Sequence, residues 1–534
     1  MAYWANLPTE IRLMILRRVA RNYTFKSDGY SRAGYASVCR EWQYFFEQRN
    51  FRRIVIDQKR IPEFEQIMGR ETTRHRRDYL VHLFLRVRLE DYDCTVCQSK
   101  EDEKTIQSNN NIFNKALWDL LFILSKWIGI VGSHRKYGLC FELGVYSPSD
   151  CKHTFRDFHL EENYPYQEIK DMEREADAYK LRIDRLGLDN LNDPYHGWVN
   201  GRREGVNLEA KQRIMGTLSI EDNLPQLSIY PYKFPRVDIV TALSIRRQFY
   251  RKIAAKSLDK LLRESFTCLR ALGHETWRDV DPQQQLCYEK EYRRLLLHGI
   301  PSTLRELYIF ENFNKLLHPE HFKQLTYLEQ YTKRADPLLG RALSKSSRQL
   351  SSLSAAFLVD AVDFFSSFHP TQNPNAKIVP WENLRYLALT SRLLHPHRSD
   401  WKINGMLMAA SRAASFMPKL RTMEIWNGGR RHACVFRYRN ADGKAHISWE
   451  STWGPQFQLD LDVVRCWANV PRLGQHPHGN FTASVNTNLR ERCDTETYAS
   501  IIRHLTLRGI MQHFVSQFQL LWEEFPYSNS SIPA

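Results

Sequence analysis

Cysteine and histidine side chains in the first third of this 534-residue chain could bind a metal ion. Cys94 and Cys97 are separated by two residues, which is half of the ligand spacing of a structural zinc site. The next possible ligands along the chain are His134, Cys140, Cys151 and His153. These four lack a second paired spacing, and two free thiols on a surface loop explain Cys94 and Cys97 more simply. We therefore expect neither a metal site nor a cofactor.

Paired carboxyl groups are the other residues that could do chemistry. Asp460 and Asp462 alternate on a predicted strand, so their side chains would share one face. Exposed acidic residues are the commoner meaning of such a pair. The chain also lacks a Gly-rich phosphate-binding loop, a Gly-x-Ser-x-Gly motif and a His-Glu-x-x-His motif. We therefore predict no catalytic residue and a protein that is not an enzyme.

The first fifty residues predict two amphipathic helices. Pro8 suits the first helical position, where its missing N–H costs nothing. The apolar residues of the first helix recur at steps of three and four, at Leu7, Ile11, Met14, Ile15 and Val19. Those of the second helix are Val38, Trp42, Phe45 and Phe46. Neither helix is long enough to be stable alone, so the two must pack together and against another structure.

These fifty residues resemble the F-box of fungal-type F-box proteins. The matching runs are Leu7-Pro8-Thr9-Glu10-Ile11, Ile15-Leu16 and Ser37-Val38-Cys39-Arg40-Glu41-Trp42. The resemblance implies a module that docks the protein, through a Skp-type adaptor, into an SCF-type cullin ubiquitin ligase. The chain would then be a non-catalytic substrate-recognition subunit in the cytoplasm, the nucleus or both.

Docking of this kind buries apolar side chains of helices in a groove of the partner. The candidates for adaptor contact are Leu7, Pro8, Ile11, Ile15, Leu16, Val38 and Trp42. The alternative is that these residues form the core of an N-terminal helical cap.

Six later segments share an apolar-x-x-apolar rhythm. They start at Val240, Leu269, Leu304, Leu350, Leu384 and Leu420, at steps of 29, 35, 46, 34 and 36 residues. Helix-like stretches lie between them at 252–265, 283–298, 357–368 and 402–416. One strand and one helix per unit predict an irregular leucine-rich-repeat-like solenoid, in which stacked units bury each other's apolar faces. An ordinary α/β layer with crossover helices is the alternative.

The predicted fold class is therefore α/β, in five segments. They are the F-box module (1–55), a first α/β repeat-like segment (56–150), a charged insertion (151–233), the leucine-rich-repeat-like array (234–430) and a C-terminal hairpin and helical cap (431–534). We expect the insertion to be a charged helix followed by a long, partly disordered surface segment. In the last segment, alternating runs at 434–439 and 445–450 predict a hairpin, 457–461 a third strand and 497–522 a helix.

Side chains between the buried leucines of a solenoid strand point towards the concave face, where a protein target would bind. The candidates for target contact are Arg305, Glu306, Tyr308, Arg385, Tyr386, Glu424 and Trp426.

The chain is basic, because 76 Lys and Arg residues against 60 Asp and Glu residues give a net charge of +16. This charge favours acidic partners. Two basic-aromatic runs, 246–252 and 430–439, raise the alternative of a basic scaffold or nucleic-acid-binding protein without ligase docking. Each run sits at the edge of a predicted strand, where rings turn inward and cations outward, so we do not expect nucleic acid as the partner. We also expect no membrane span, and the ten cysteines suit a reducing compartment.

Overall fold

The computed structural model describes most of the chain. The described residues are 4–21, 31–127, 138–156, 187, 190–220, 233–319, 336–369, 378–429, 432–441, 444–453, 457, 459–473, 480–487, 489 and 498–524. The predicted charged helix around residues 161–177 lies outside them. Within them, no helix combines the length and apolar character that crossing a bilayer requires.

Helices and strands alternate along the described residues. The helices are α1 (Thr9–Arg21), α2 (Ser31–Ala36), α3 (Arg40–Asn50), α4 (Ile61–Met68), α5 (Arg74–Tyr79), α6 (Glu103–Ser125), α7 (Leu208–Ile214), α8 (Ala255–Glu264), α9 (Pro282–His298), α10 (Pro337–Ser346), α11 (Ala361–Phe364), α12 (Asp400–Ala414), α13 (Leu461–Leu473), α14 (Ala499–Ile502), α15 (Arg508–Met511) and α16 (Phe514–Glu524). The strands are β1 (Arg53–Ile56), β2 (His82–Arg88), β3 (Leu139–Tyr146), β4 (Trp198–Val199), β5 (Arg202–Arg203), β6 (Thr217–Leu218), β7 (Val240–Ile245), β8 (Lys252–Ile253), β9 (Ala271–Trp277), β10 (Glu306–Asn312), β11 (Ser352–Asp360), β12 (Tyr386–Thr390), β13 (Thr422–Gly429), β14 (His432–Ala441), β15 (Lys444–Ser451) and β16 (Phe481–Asn486).

Twelve of the described strands form one sheet in chain order, β1-β2-β3-β7-β9-β10-β11-β12-β13-β14-β15-β16. Neighbours from β1 to β13 are parallel, β14 is antiparallel to both β13 and β15, and β16 is parallel to β15. The predicted mixed α/β class is confirmed, and the six rhythmic segments form or lead into β7 and β9 to β13. Because successive strands from β1 to β13 are parallel neighbours, the chain must run back along one face of the sheet between each strand and the next.

A column of apolar side chains crosses the nine parallel strands. Its members pair in register as Ile54, Leu83, Phe141, Leu243, Leu272, Leu307, Leu353, Leu387 and Met423. Ile54 is half-buried and the others are buried, in one core shared with α6, α8, α9, α10 and α12. The apolar rhythm of the sequence therefore marks the residues that hold the strands in register against the helices.

Several predicted elements differ in the structure. The predicted helix at 357–368 begins as strand, because β11 continues to Asp360 before the short α11. The predicted third strand at 457–461 is wrong: Leu461 starts α13, and β16 pairs with β15 instead. The sequence pattern also gave no sign of α10, which precedes β11. The hairpin of β14 and β15 is confirmed.

The end of the chain does not form one helix. The predicted helix at 497–522 is broken into α14, α15 and α16. We call residues 498–524 the C-terminal segment. Its apolar side chains share a buried cluster with Phe310, Ala356, Ala388 and Trp426, which point to the face of the sheet opposite the long helices. The segment thus covers the middle of the sheet as well as following its last strands.

Candidate docking surface and a cysteine–histidine cluster

The N-terminal helices α1, α2 and α3 have a small core of their own. Leu16, Phe45 and Phe46 are buried in it. Half-buried aromatic rings surround them, and the Trp42 ring centroid lies 5.6 Å from that of Trp4 and 5.6 Å from that of Phe46. Leu16 is fully buried, so it belongs to this core and cannot be one of the predicted adaptor contacts. We call α1 to α3 the N-terminal module.

Two carboxylates fasten this module. Glu41 accepts hydrogen bonds from the indole N–H of Trp4 at 2.9 Å and from Arg12 at 3.2 Å, which joins the start of α3 to α1. Glu47 is buried and accepts from Arg76 of α5 at 2.6 Å, which ties the module to the sheet body. Burial alone would raise the pKa of Glu47, but the hydrogen bonds from Arg76 and its neighbours hold it below the ordinary value. The module is therefore held by charge as well as by its core.

The remaining predicted adaptor contacts lie at the surface of the module. Ile11 and Val38 are 41% and 59% exposed, and Ile15 and Pro8 are exposed as well. Leu7 and Trp42 are half-buried. Met14 is 62% exposed on the same helix as Ile11, and it belongs to the predicted stripe although it was not among the predicted contacts. The module thus presents large apolar side chains to solvent.

The predicted target contacts divide into two groups. Arg305, Glu306 and Arg385 are exposed, and Tyr308 and Tyr386 are half-buried, at the amino ends of β10 and β12. Glu424 and Trp426 are completely buried, so the structure removes them from any surface that a target could touch. The cause is the C-terminal segment, which lies over β13.

Glu424 is the main polar contact between β13 and the C-terminal segment. Its carboxylate accepts backbone hydrogen bonds from Thr506 and Leu507, each at 2.9 Å, and a hydrogen bond from Arg437 at 2.5 Å. Arg437 also donates to the backbone carbonyl of His504 at 2.8 Å. Because a buried charge is tolerated only when it is paired and hydrogen-bonded, these contacts fix the path of the segment.

The cations of the first basic run are buried, whereas in the second run Arg437 is buried and Arg439 is exposed. Arg246 pairs with Glu142 at 2.5 Å, and Arg251 pairs with Glu101 at 2.8 Å. Arg247 and Lys252 are buried too, and Arg437 of the second run pairs with Glu424. The prediction that these cations point outward is wrong for the four residues of the first run and for Arg437. They are not available to phosphate groups, and residues 430 and 431 lie outside the described part.

A cluster of cysteine and histidine side chains lies at the carboxyl end of β2 and β3. The donor atoms of Cys94, Cys97, His153 and His196 all lie within 4.8 Å of one another. The Cys94 sulfur lies 3.4 Å from Nδ1 of His153 and 3.7 Å from Nε2 of His196, and the Cys97 sulfur lies 3.4 Å from that same Nε2. Two thiols and two imidazoles are a common ligand set of structural zinc.

The second ring nitrogen of each histidine in this cluster has its own partner. His196 Nδ1 lies 2.7 Å from the carboxylate of Asp193, which also accepts from Arg156 at 2.7 Å. His153 Nε2 lies 3.3 Å from the backbone carbonyl of Tyr92. Burial lowers the pKa of His153, and burial together with Cys94 raises the pKa of Cys97 to about 11. With its outer nitrogen engaged in this way, each imidazole turns its other ring nitrogen towards the sulfurs.

Two histidines therefore accompany Cys94 and Cys97 in the structure, although the sequence contains no second paired spacing. His153 was among the possible ligands, but Cys140 and Cys151 do not join the cluster, and His134 lies outside the described residues. His196 comes from the predicted insertion, 99 positions after Cys97. No local spacing in the sequence signals such a distant ligand.

The predicted acid pair is not a site. Asp460 precedes α13, and its carboxylate accepts a hydrogen bond from the backbone N–H of Asp462 at 2.9 Å. This contact is an ordinary way to satisfy free N–H groups at a helix start. The exposed Asp462 pairs with Arg465 one turn later at 3.1 Å.

A family of unknown function (DUF6546) matches residues 299–512 of this chain. The matched stretch contains β10 to β16 and ends just after α15, so it includes the covered sheet face but neither the N-terminal module nor the cysteine–histidine cluster. No curated protein and no solved structure matches the chain.

Proposed function

We propose that this chain is the non-catalytic substrate-recognition subunit of an SCF-type cullin ubiquitin ligase. Its N-terminal module would dock onto a Skp-type adaptor, and the sheet body would hold a protein target near the ligase. Such a receptor does no chemistry itself, because it acts by raising the local concentration of the target.

The observation that carries this proposal is the exposed apolar surface of the N-terminal module. Ile11, Met14, Ile15 and Val38 lie on a small helical unit whose own core is already complete with Leu16, Phe45 and Phe46. Exposed apolar side chains grouped on one unit favour burial against another protein. Arg17, Arg18 and Arg40 are also exposed on this module, which favours an acidic partner.

We propose further that the strand and helix units of the body form a leucine-rich-repeat-like array. The in-register column from Ile54 to Met423, with strands in chain order, supports this more specific architecture. Arg305 and Arg385 remain exposed at the amino ends of β10 and β12, whereas Tyr386 packs against the cluster beneath the C-terminal segment. Arg305, Tyr308 and Arg385 there are the contacts that we propose for a protein target.

Adaptor binding tests the first half of the proposal. The wild-type chain and an Ile11→Asp/Val38→Asp variant are compared for binding to a purified Skp-type adaptor by biolayer interferometry. Because both side chains are exposed, the variant should keep its fold. We expect an affinity loss of at least about tenfold, since a charge buried in an apolar groove removes more than the contact it replaces.

Val379→Asp is the matched control. Val379 is 60% exposed against 59% for Val38, but it lies far along the chain, ahead of β12. This control should bind the adaptor as the wild type does. Equal binding by the double variant and the control, or no binding by the wild type, would overturn the docking proposal.

Target capture tests the second half. Proteins that co-purify with the wild type, with Ile11→Asp/Val38→Asp and with Arg305→Glu/Arg385→Glu are compared by quantitative mass spectrometry. The first variant should lose the adaptor and keep the target, whereas the second should lose the target and keep the adaptor. Steeply salt-dependent retention of RNA or DNA by all three chains would instead support the basic-scaffold alternative.

A further inference from the structure

We propose that Cys94, Cys97, His153 and His196 bind one structural Zn²⁺ ion that joins three separate segments of the chain. Cys94 and Cys97 lie in the loop after β2, His153 follows β3, and His196 lies just before β4 in the segment that was predicted to be a solvated insertion. The inference does not depend on the proposed ligase function.

The spacing of the donor atoms fits a tetrahedral zinc ion. With Zn–S near 2.3 Å and Zn–N near 2.0 Å, a tetrahedral angle places sulfur and nitrogen ligands about 3.5 Å apart. Three of the four sulfur–nitrogen distances of the cluster are 3.4, 3.7 and 3.4 Å, and the fourth, between Cys97 and His153, lies within 4.8 Å. All four donors lie within 4.8 Å of one another, so little movement is needed to enclose an ion.

The surroundings of the two histidines support the same conclusion. A histidine that ligates zinc usually donates its other N–H to a carboxylate or a backbone carbonyl, which sets its tautomer and orientation. His196 has Asp193 in that position at 2.7 Å, and His153 has the carbonyl of Tyr92 at 3.3 Å. Arg156 donates to the same carboxylate oxygen of Asp193, also at 2.7 Å. Isolated thiol–imidazole contacts would not require this arrangement on both rings.

The ligand set indicates a structural rather than a catalytic ion. Four protein donors fill a tetrahedral zinc and leave no position for water or substrate. Two thiolates balance the charge of the ion, which suits the partly buried location: Cys97 and His196 are buried, His153 is half-buried and Cys94 is exposed. The exposed Cys94 gives the ion a path into the site.

The hairpin that follows His196 depends on contacts outside itself. Strands β4 and β5 contain two residues each, and a short two-stranded hairpin is not stable alone. Yet Trp198 of this hairpin is buried, with its indole N–H donating to the carbonyl of Thr154 at 3.2 Å. An ion shared by His196, His153 and the two cysteines would fasten the hairpin to the ends of β2 and β3, and its binding energy would contribute to folding here.

Metal analysis of the full-length chain is the first test. Protein purified under reducing conditions with added Zn²⁺ and then freed of excess metal should contain one zinc ion per chain by mass spectrometry. The chain reloaded with Co²⁺ should show the absorption of tetrahedral cobalt with thiolate ligands. A zinc-free chain, or cobalt without thiolate charge-transfer bands, would overturn the proposal whatever the variants do.

Substitutions of the proposed ligands test whether the ion binds at this cluster. Cys97→Ser and His196→Gln should each weaken zinc affinity by at least tenfold in a competition assay with a chromophoric chelator. Cys287→Ser and His298→Gln are matched controls on the exposed surface of α9, and they should bind zinc as the wild type does. Asp193→Asn should weaken binding by about 10- to 100-fold without changing the ratio of one ion per chain, because Asp193 positions a ligand and does not touch the metal. Unchanged affinity in Cys97→Ser and His196→Gln would place the ion elsewhere and refute this site.

Discussion

The N-terminal module exposes large apolar side chains, whereas the covered face of the sheet buries them. On the module, Met14 and Val38 are about 60% exposed although the unit has its own core. On the sheet face opposite the long helices, Phe310 and Trp426 are completely buried beneath the C-terminal segment. The same chain therefore covers one apolar surface with its own residues and leaves the other open.

This difference gives the exposed surface its significance. Single exposed apolar residues are common on proteins and need no explanation. Here the chain has a segment long enough to cover an apolar face, and it uses that segment on the sheet. Both regions are fastened by a buried carboxylate, Glu47 for the module and Glu424 for the C-terminal segment. The open surface of the module is thus not the result of a loosely held unit.

The largest effect that we expect comes from removing the carboxylate beneath the C-terminal segment. Glu424→Ala removes one of the two carboxylates that pair with the buried Arg437, leaving Glu450 at 2.7 Å, and removes the acceptor of the Thr506 and Leu507 N–H groups. Leaving these two N–H groups without an acceptor and weakening the ion pair together cost about 3–5 kcal/mol. The free energy of unfolding, measured by urea titration, should fall by that amount, and trypsin should cleave the C-terminal segment sooner.

The exposed Glu306 provides the control for this comparison. Glu306→Ala should change the free energy of unfolding by less than about 0.5 kcal/mol. An equally small loss in Glu424→Ala would mean that the C-terminal segment does not depend on this contact, and the contrast between the two regions would weaken.

Removing methyl groups from a buried valine should cause the next largest loss of stability. Val435 of β14 is completely buried in the cluster with the C-terminal segment. Val435→Ala removes two methyl groups, and each buried methyl group costs roughly 0.5–1.5 kcal/mol. The free energy of unfolding should therefore fall by about 1–3 kcal/mol. A loss below about 0.5 kcal/mol would show that the sheet face is not tightly covered.

Acidification should act on the covered body through buried histidines. His274 of β9 is buried with Nδ1 3.0 Å from the Tyr292 hydroxyl, and burial together with Lys252 lowers its pKa from 6.5 to about 3. Below pH 6.5 this histidine is protonated in the unfolded chain but not in the folded chain. The free energy of unfolding therefore falls as the pH drops from 6.5 towards 3. At pH 5.5, one unit below the ordinary pKa, this histidine alone should remove about 1 kcal/mol of stability.

His274→Leu isolates this contribution. The free energy of unfolding should decline less steeply between pH 7.5 and 5.5 in His274→Leu than in the wild type. At pH 5.5 the difference between the two slopes should correspond to the uptake of close to one proton on unfolding. His298 is exposed on α9, and His298→Leu should keep the wild-type slope. Parallel slopes for the wild type and His274→Leu would mean that water or a proton reaches the interior of the body.

The strands were predictable because their signal is local. Leu307, Leu353 and Leu387 repeat an apolar rhythm that a reader of the sequence can see, and in the structure they stand side by side in the column. The same reasoning marked the apolar stripe of α1, of which Ile11, Met14 and Ile15 are exposed. It failed at Leu16, because the first helix has apolar residues on two sides and only the packing of Phe45 and Phe46 decides which side is the core.

The misses among buried polar and ligand residues involve partners that lie far apart in the sequence. Glu424 looked like an exposed strand residue, and its burial depends on Thr506, 82 positions later. The cysteine–histidine cluster depends on His196, which lies in a stretch rich in turn residues without any repeated spacing. Arg246 and Arg247 looked like surface cations, but Glu142 and Asn312 on other strands give them buried partners. Such pairings cannot be inferred until the order of the strands is known.

The smallest effect sharpens the comparison most. Val38 and Val435 are the same residue type in opposite surroundings, so Val38→Ala should change the free energy of unfolding by less than about 0.5 kcal/mol, where Val435→Ala costs several times more. The measurement is the same urea titration. With a saturating Skp-type adaptor present, however, Val38→Ala should have a lower free energy of unfolding than the wild type. The reason is that a partner stabilises the folded state more when it binds more tightly. If Val38→Ala is already as destabilising as Val435→Ala without any partner, then the surface of the module is covered by this chain itself and is not available for docking.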